Sequence, residues 1–409
     1  MKVAVFTSKF PLLSETFIIN QIVGLLDNNV DVDIIANETP MSRVMHSTVS
    51  DKSLLERLST VGLNTQKSKV NRIKTTIINL AILSFGGFFR QVCNIIFDRY
   101  LKTSQKMNLL SALRVLGYKN HIKRYDNIIC HFGINGYYVC KMRDLGIIEG
   151  PISTVFHGYE VSHYRVSTQF LKQYKQLFKK GELMLPISEL WARQLQAWGC
   201  DSHKIKVHRM GIDVNDFRLR DISNPLSTPL KVVQVGRLTE KKAILNSINA
   251  VAIASKSKAI DFTVIGDGEL YEQAKELVSL LGAEKYINLL GQQPQSVVKK
   301  CLDESDVFLL PSVRAKSGDM EGIPVSLMEA MAKGLIAVST VHSGIPELIE
   351  NQVSGFLVQE NDIEGLAQSL IDIHSLSQKE IESIRTFARQ TCEDKFNNCH
   401  LNSDLRYLI

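Results

Sequence analysis

The stretch Glu321–Ala330, EGIPVSLMEA, sets two carboxylates eight positions apart, the first followed by Gly-Ile-Pro. Upstream, FLLPSV is a short apolar run of the buried-strand type, and downstream LMEAMAKG predicts a helix closing at Gly334. The stretch is therefore a strand–loop–helix junction. In an open parallel sheet, ligands bind at such junctions, outside the carboxyl ends of the strands.

The same alternation extends outward in both directions. LKVVQVGR, IDFTVIGDG, YINLLG, LIAVST and SGFLV read as further strands, with helical patterns between most of them. Near the N-terminus come KVAVFTS, a helix over SETFIINQIVGLLDNN with Ser14 as N-cap, and DVDIIA; NIICHFG, ISTVFHG and LMLPIS follow as strands. The polar stretch DVNDFRLRDISNPLSTP separates the two series. These patterns predict an α/β protein of two doubly wound, Rossmann-like domains, residues 1–215 and 216–385. A final helix over 386–409 is expected to return to the first domain.

With 44% hydrophobic and 22% charged residues, the 409-residue chain has the composition of a folded globular protein. MKVAVFTSKF lacks the pattern of a secretory signal. The longest uncharged span, Thr75–Phe89, has fifteen residues, short of the roughly 20 that cross a bilayer. Seven scattered cysteines without a CxxC pair suit a reducing compartment. A cytoplasmic protein is expected.

The net charge of +6 conceals an asymmetry, because residues 51–125 carry fourteen Lys/Arg against three Asp/Glu. This basic amphipathic insertion includes Lys67, Lys69, Arg72, Lys74 and Arg90 among apolar clusters. It reads either as a surface docking on an anionic membrane or as a solvated helical face. No nucleic-acid-binding motif accompanies it, so a nucleic-acid partner is not expected.

Chemistry concentrates at strand ends of the second half. In VGRLTEKK, Arg237 and Lys242 are five apart just beyond a strand and suit a diphosphate, one with a planar fork of donors and the other with a compact charge. Gly266 and Gly268 in VIGDGEL would let backbone approach a ligand. Gly322 and Ile323 would offer free N–H groups, and the helix opening at Pro324 and Val325 its positive end. Glu321 would reach sugar hydroxyls, and Glu329, two turns into the helix, a ribose diol. Taken singly, each has a plain alternative: surface charges, a turn, or a Glu329–Lys333 helix pair.

In the first half, His157 in FHGYEVSHY stands at a strand exit, and Ser14 and Thr16 open a helix. No metal site is expected: Asp31 and Asp33 form the one Asp-x-Asp, inside a strand pattern. A P-loop is absent, against a kinase or ATPase.

VGRLTEKK, VIGDGEL, GDMEGIPVSLMEAMAKG, SGIPELI and VSGFLV together resemble the donor-binding half of the retaining glycosyltransferases of family 4, which have the GT-B fold. SETFI, FHGYEVS and PISELWARQLQAWGCDSHKIKVHRMGIDVNDF are similar to the bacterial exopolysaccharide, colanic-acid and O-antigen branch. The resemblance implies that Arg237 and Lys242 hold the donor diphosphate. It implies that Glu321 contacts the sugar, Glu329 the ribose, and His157 the reacting face. Ser14 and Thr16 would lie on the acceptor side. The implied reaction moves a hexose, with retention, from a UDP- or GDP-sugar to a hydroxyl of a lipid-linked saccharide at the inner face of the membrane. No cofactor or metal is expected. Two departures stand out: SKFPLLSET replaces a glycine-rich loop, and Ala243 stands where Gly commonly follows the lysine. A GT-B sugar-nucleotide epimerase and a non-catalytic nucleotide-sugar-binding membrane scaffold remain as alternative functions.

Overall fold

The computed structural model describes residues 1–12, 15–40, 47–63, 68–117 and 123–409. Two parallel six-stranded sheets organise the chain. The first contains Lys2–Lys9 (β1), Asp31–Glu38 (β2), Leu58–Thr60 (β3), Asn127–His131 (β5), Ile152–Phe156 (β7) and Leu183–Pro186 (β8), ordered β3-β2-β1-β5-β7-β8. Lys123–Arg124 (β4) and Ile148–Glu149 (β6) form a small separate pair. The second sheet contains Leu230–Val235 (β9), Ile260–Ile265 (β10), Ile287–Leu289 (β11), Val307–Leu310 (β12), Ile336–Thr340 (β13) and Phe356–Val358 (β14), ordered β11-β10-β9-β12-β13-β14.

Central strands such as β5, β7, β12 and β13 are buried at every residue, because helices cover both faces of each sheet. This is why they read as continuous apolar runs instead of alternating ones. In each sheet the order reverses beside the first strand of its domain, between β1 and β5 and between β9 and β12. Those reversals open crevices at the carboxyl ends of the strands.

Two expectations are corrected. The proposed insertion at 51–125 contains β3, an edge strand of the first sheet; three residues are too few to show a period. The C-terminal segment is two helices, Gln378–Lys395 and Asn398–Leu408. The first keeps Ala388 and Cys392 in the core of the second domain, while the second packs on helix Thr16–Asp27 and buries Leu405 in the core of the first. The return therefore begins after Phe396, whose carbonyl accepts the Ile212 N–H.

Candidate active site

Lys242 closes a short turn, Glu240–Lys242, in the loop after β9, and Glu321 lies in the loop after β12, so they flank the crevice of the second sheet. Lys242 Nζ lies 3.3 Å from Glu321 Oε2. Lys241 Nζ lies 3.8 Å from Glu321 Oε1 and 3.1 Å from Asp319 Oδ2. Burial alone would raise the Glu321 carboxyl, but Lys242 and then Lys241 outweigh it and hold the group below its ordinary value. Glu321 Oε1 is buried without a hydrogen-bond partner and keeps an acceptor for a hydroxyl. Arg237 is exposed nearby in the chain, and among the described residues its guanidinium has no ion-pair partner.

The Glu321 loop is held from behind. Its Glu321 N–H donates to His342 Nε2 at 3.1 Å, and His342 Nδ1 lies 2.6 Å from Glu360 Oε1. Accepting at Nε2 requires a neutral ring, and burial does hold His342 below its ordinary value against the pull of Glu360 and Glu321. Ser343 Oγ donates to the Glu321 carbonyl at 2.6 Å. The N–H groups of Gly322 and Ile323 have no acceptor among the described residues, and both precede helix Val325–Ala332.

Glu329 lies one turn into that helix, not two, since the helix opens at Val325. The Glu329–Lys333 alternative fails, because Lys333 pairs with Asp303. Half-buried Glu329 has no ion pair among the described residues, and burial raises it to about 7 against the effect of Lys299. Gly266 and Gly268 also serve packing between loops. A Cβ at Gly266 would lie 1.9 Å from the Gly236 carbonyl oxygen, and one at Gly268 2.5 Å from that of Leu238. These glycines stack one loop on the other and so position the Arg237–Lys242 loop; the close approach is within the protein. Ala243 adopts a left-handed conformation, φ 48°, which explains why glycine suits that place.

The first domain closes over the loop. A Cβ at Gly322 would lie 3.3 Å from the His157 carbonyl oxygen and 2.5 Å from Ile187. Met320 N–H donates to Ser162 Oγ, Tyr164 N–H to the Ser317 carbonyl, and Arg209 pairs with Glu347 at 2.7 Å. His157 turns its ring into its own domain: Nδ1 is 3.3 Å from Met210 sulfur and Nε2 3.0 Å from His131 Nδ1. Burial, then His131 and His208, keep it well below its ordinary value, so it is a neutral imidazole. Glu160 accepts the His157 N–H at 2.9 Å, and burial raises it to about 7.

Ser14 lies outside the described residues. Thr16 is exposed at the first turn of its helix, whose N-cap is Glu15 without a side-chain cap bond. Asp31 pairs with Arg57, and Asp33 accepts from Tyr125 beside Lys2 and Lys123. Sequence reading missed Lys241, Asp319, His131, His342 and Glu360. Lys241 was visible as the neighbour of Lys242, and His342 as a polar residue just past β13.

Residues 215–391 match the family Glycosyl transferases group 1. The putative colanic acid biosynthesis glycosyltransferase WcaL of Escherichia coli K12 is 39% identical over 414 residues, covering 100% of this chain and 99% of the relative. The chain belongs to the group 1 glycosyltransferases. The amylovoran biosynthesis glycosyltransferase AmsK of Erwinia amylovora is 38% identical over 400 residues, 97% of this chain and 96% of its own length. A shorter match, 28% identical over 210 residues, 48% of this chain and 51% of the relative, is to an Escherichia coli galactosyltransferase named for UDP-Gal and a GlcNAc-diphosphoundecaprenol. Anabaena Alr3699/HepE in complex with UDP-glucose superposes with TM-score 0.69 at 16% identity, covering 100% of this chain and 99% of that one. The group 1 fold here is GT-B: two Rossmann-like domains facing a cleft.

Proposed function

We propose that this glycosyltransferase moves a hexose, with retention, from a UDP- or GDP-hexose to a hydroxyl of a lipid-linked oligosaccharide in surface polysaccharide assembly. The observation that carries the reading is the Lys242–Glu321 pair at the crevice between β9 and β12, with Arg237 unpaired on the same loop. In the donor complex, Lys242 turns from Glu321 to the diphosphate and Arg237 joins it. Glu321, released, takes the sugar hydroxyls, and Glu329 takes the ribose diol. Gly322, Ile323 and the helix beginning at Pro324 and Val325 supply N–H donors. Charge grows on the leaving diphosphate as the anomeric bond breaks, and groups already fixed around it stabilise that charge. These groups neutralise the diphosphate without a metal ion. The leaving phosphate takes the acceptor proton on the front face, while Glu160 holds its own loop, its Oε1 accepting the His157 N–H. Neutral His157 positions the sugar through its carbonyl at the Gly322 contact.

The acceptor brings the enzyme to the membrane surface. In helix Lys69–Phe85, Val70, Ile73 and Ile77 align at i, i+3 and i+7 and are exposed, beside exposed Lys69 and Lys74. Lys67 lies outside the described residues. No helix among them is long and apolar enough to cross a membrane, so the expected attachment is peripheral. The test is a donor-hydrolysis screen across UDP- and GDP-hexoses in excess chelator, with product anomers read by NMR. A retained anomer and a chelator-insensitive rate are expected, and Lys242→Ala should lower turnover by roughly a hundredfold or more. An inverted product, or a strict Mg²⁺ or Mn²⁺ requirement, overturns the reading.

A further inference from the structure

Away from the cleft, a depression of about 1000 Å³ opens beside the second half of helix Tyr164–Lys180. Five cations line it, Arg99, Lys172, Lys175, Lys179 and Lys204, against one carboxylate, Asp201. Lys172, Lys175 and Lys179 follow one another at spacings of three and four and so share a helix face. Like charges so placed repel each other. None of the three has a carboxylate partner among the described residues, and Asp201 accepts instead from the His203 N–H. Lys204 is fixed by the carbonyls of Phe178 and Gly181 at 3.0 and 2.8 Å. Arg99 lies over the Tyr100 ring, 5.0 Å from its centroid. Gln173 is 8% exposed; its Nε2 donates to the Tyr100 carbonyl at 3.2 Å, while Oε1 is buried without a partner. A wall of five cations against one carboxylate suits a phosphate.

The chain leading to this wall carries the other half of the argument. Arg99 and Tyr100 close a segment in which Phe85 is 94% and Phe97 81% exposed, with Phe89 also outward. Lys102 Nζ rests 5.0 Å from the centroid of the Phe170 ring, which ties the end of that segment to helix Tyr164–Lys180. Apolar rings and an uncompensated cationic depression thus adjoin along one stretch of chain, the combination a lipid presents in reverse.

We propose that this depression binds the phosphate or diphosphate headgroup of a membrane lipid while the neighbouring aromatic side chains enter the acyl boundary. The inference rests on the membrane reading above and adds headgroup chemistry to it. Helix Tyr164–Lys180 begins at the cleft, where Tyr164 meets Ser317. At 1.5 Å per residue, Lys172–Lys179 lie roughly 12–22 Å along it. A lipid-linked saccharide held there by its phosphates spans several sugars before its free end reaches the cleft.

The test compares full-length protein with a Lys172→Gln/Lys175→Gln/Lys179→Gln variant; glutamine keeps helix propensity at these positions. Probes are vesicles of phosphatidylcholine alone, with phosphatidylglycerol, or with phosphatidic acid at matched surface charge, and inorganic pyrophosphate as soluble competitor. Wild type should prefer phosphatidic acid, and pyrophosphate should remove that preference. The variant should bind phosphatidic acid vesicles roughly tenfold or more weakly, the scale of three lost cations at an anionic surface, with unchanged donor hydrolysis. Equal binding by variant and wild type overturns the proposal. Pyrophosphate binding in solution without any lipid preference overturns the assignment to lipid. Binding to phosphatidylglycerol with no phosphomonoester preference removes the depression alone, whereas no binding to any vesicle removes the membrane reading as well.

Discussion

Helix Val325–Ala332 and helix Lys69–Phe85 are both apolar, yet they have opposite fates. The first buries Leu327, Met328, Ala330, Met331 and Ala332 beside the crevice of the second sheet and carries Glu329 one turn in. The second buries only Asn79 and Leu83 along seventeen residues and leaves Ile77 60% exposed. The difference lies in what each helix packs against: a parallel sheet in one case and, among the described residues, mainly water in the other. An apolar face is a core when its partner is in the same chain and an interface when it is not. The helix over the crevice fixes the candidate site by rigidity, and the exposed helix leaves apolar side chains uncovered among the described residues.

The comparison breaks most readily on stability. Leu327→Ala should cost about 2–5 kcal/mol, whereas Ile77→Ser should change stability by about 0.5 kcal/mol or less, both read from denaturant midpoints. A large loss from Ile77→Ser would mean that the exposed face is packed after all. The donor side gives the next effect. Glu329→Ala should weaken nucleotide-sugar binding by roughly tenfold or more, the worth of a charged hydrogen bond of about 1.5–3 kcal/mol, measured by titration calorimetry.

The same residue gives a pH dependence. With Glu329 raised to about 7 by burial, donor affinity should climb as pH rises through that value and flatten in Glu329→Gln. Stability should move oppositely: the folded state binds this proton more tightly than the unfolded chain, so ionising it removes stability as pH rises toward and through 7. A pH-independent affinity would take Glu329 out of the ribose site.

Much of the candidate site was legible because its residues sit where short apolar strands end, which places Arg237, Lys242 and Glu321 on loops and Glu329 on the helix that follows. What escaped was tertiary. His342 supports Glu321 from another strand, and nothing local in VHSGIPE indicates which N–H its ring will accept. Gly266 and Gly268 signalled a close approach, but not that the approaching group is the Gly236 and Leu238 backbone. The exposed stripe from Val70 to Phe85 was visible as amphipathic, while its lack of a partner among the described residues depends on how the first domain closes. Ala243 looked like a minor substitution, yet its left-handed backbone makes Ala243→Gly the smallest expected gain, about 1 kcal/mol or less, detectable as a slightly higher unfolding midpoint. A fall in that midpoint would show that the loop tolerates alanine without strain.

Glu321→Gln tests most directly whether Glu321 and Lys242 guard each other until the donor separates them. The variant frees Lys242 and Lys241 from their carboxylate while replacing the charged acceptor for the sugar hydroxyls with a neutral, weaker amide. Affinity for the free nucleoside diphosphate should therefore hold or rise, while turnover of the nucleotide sugar falls sharply. Wild-type turnover in Glu321→Gln, with nucleotide affinity unchanged, would contradict the account.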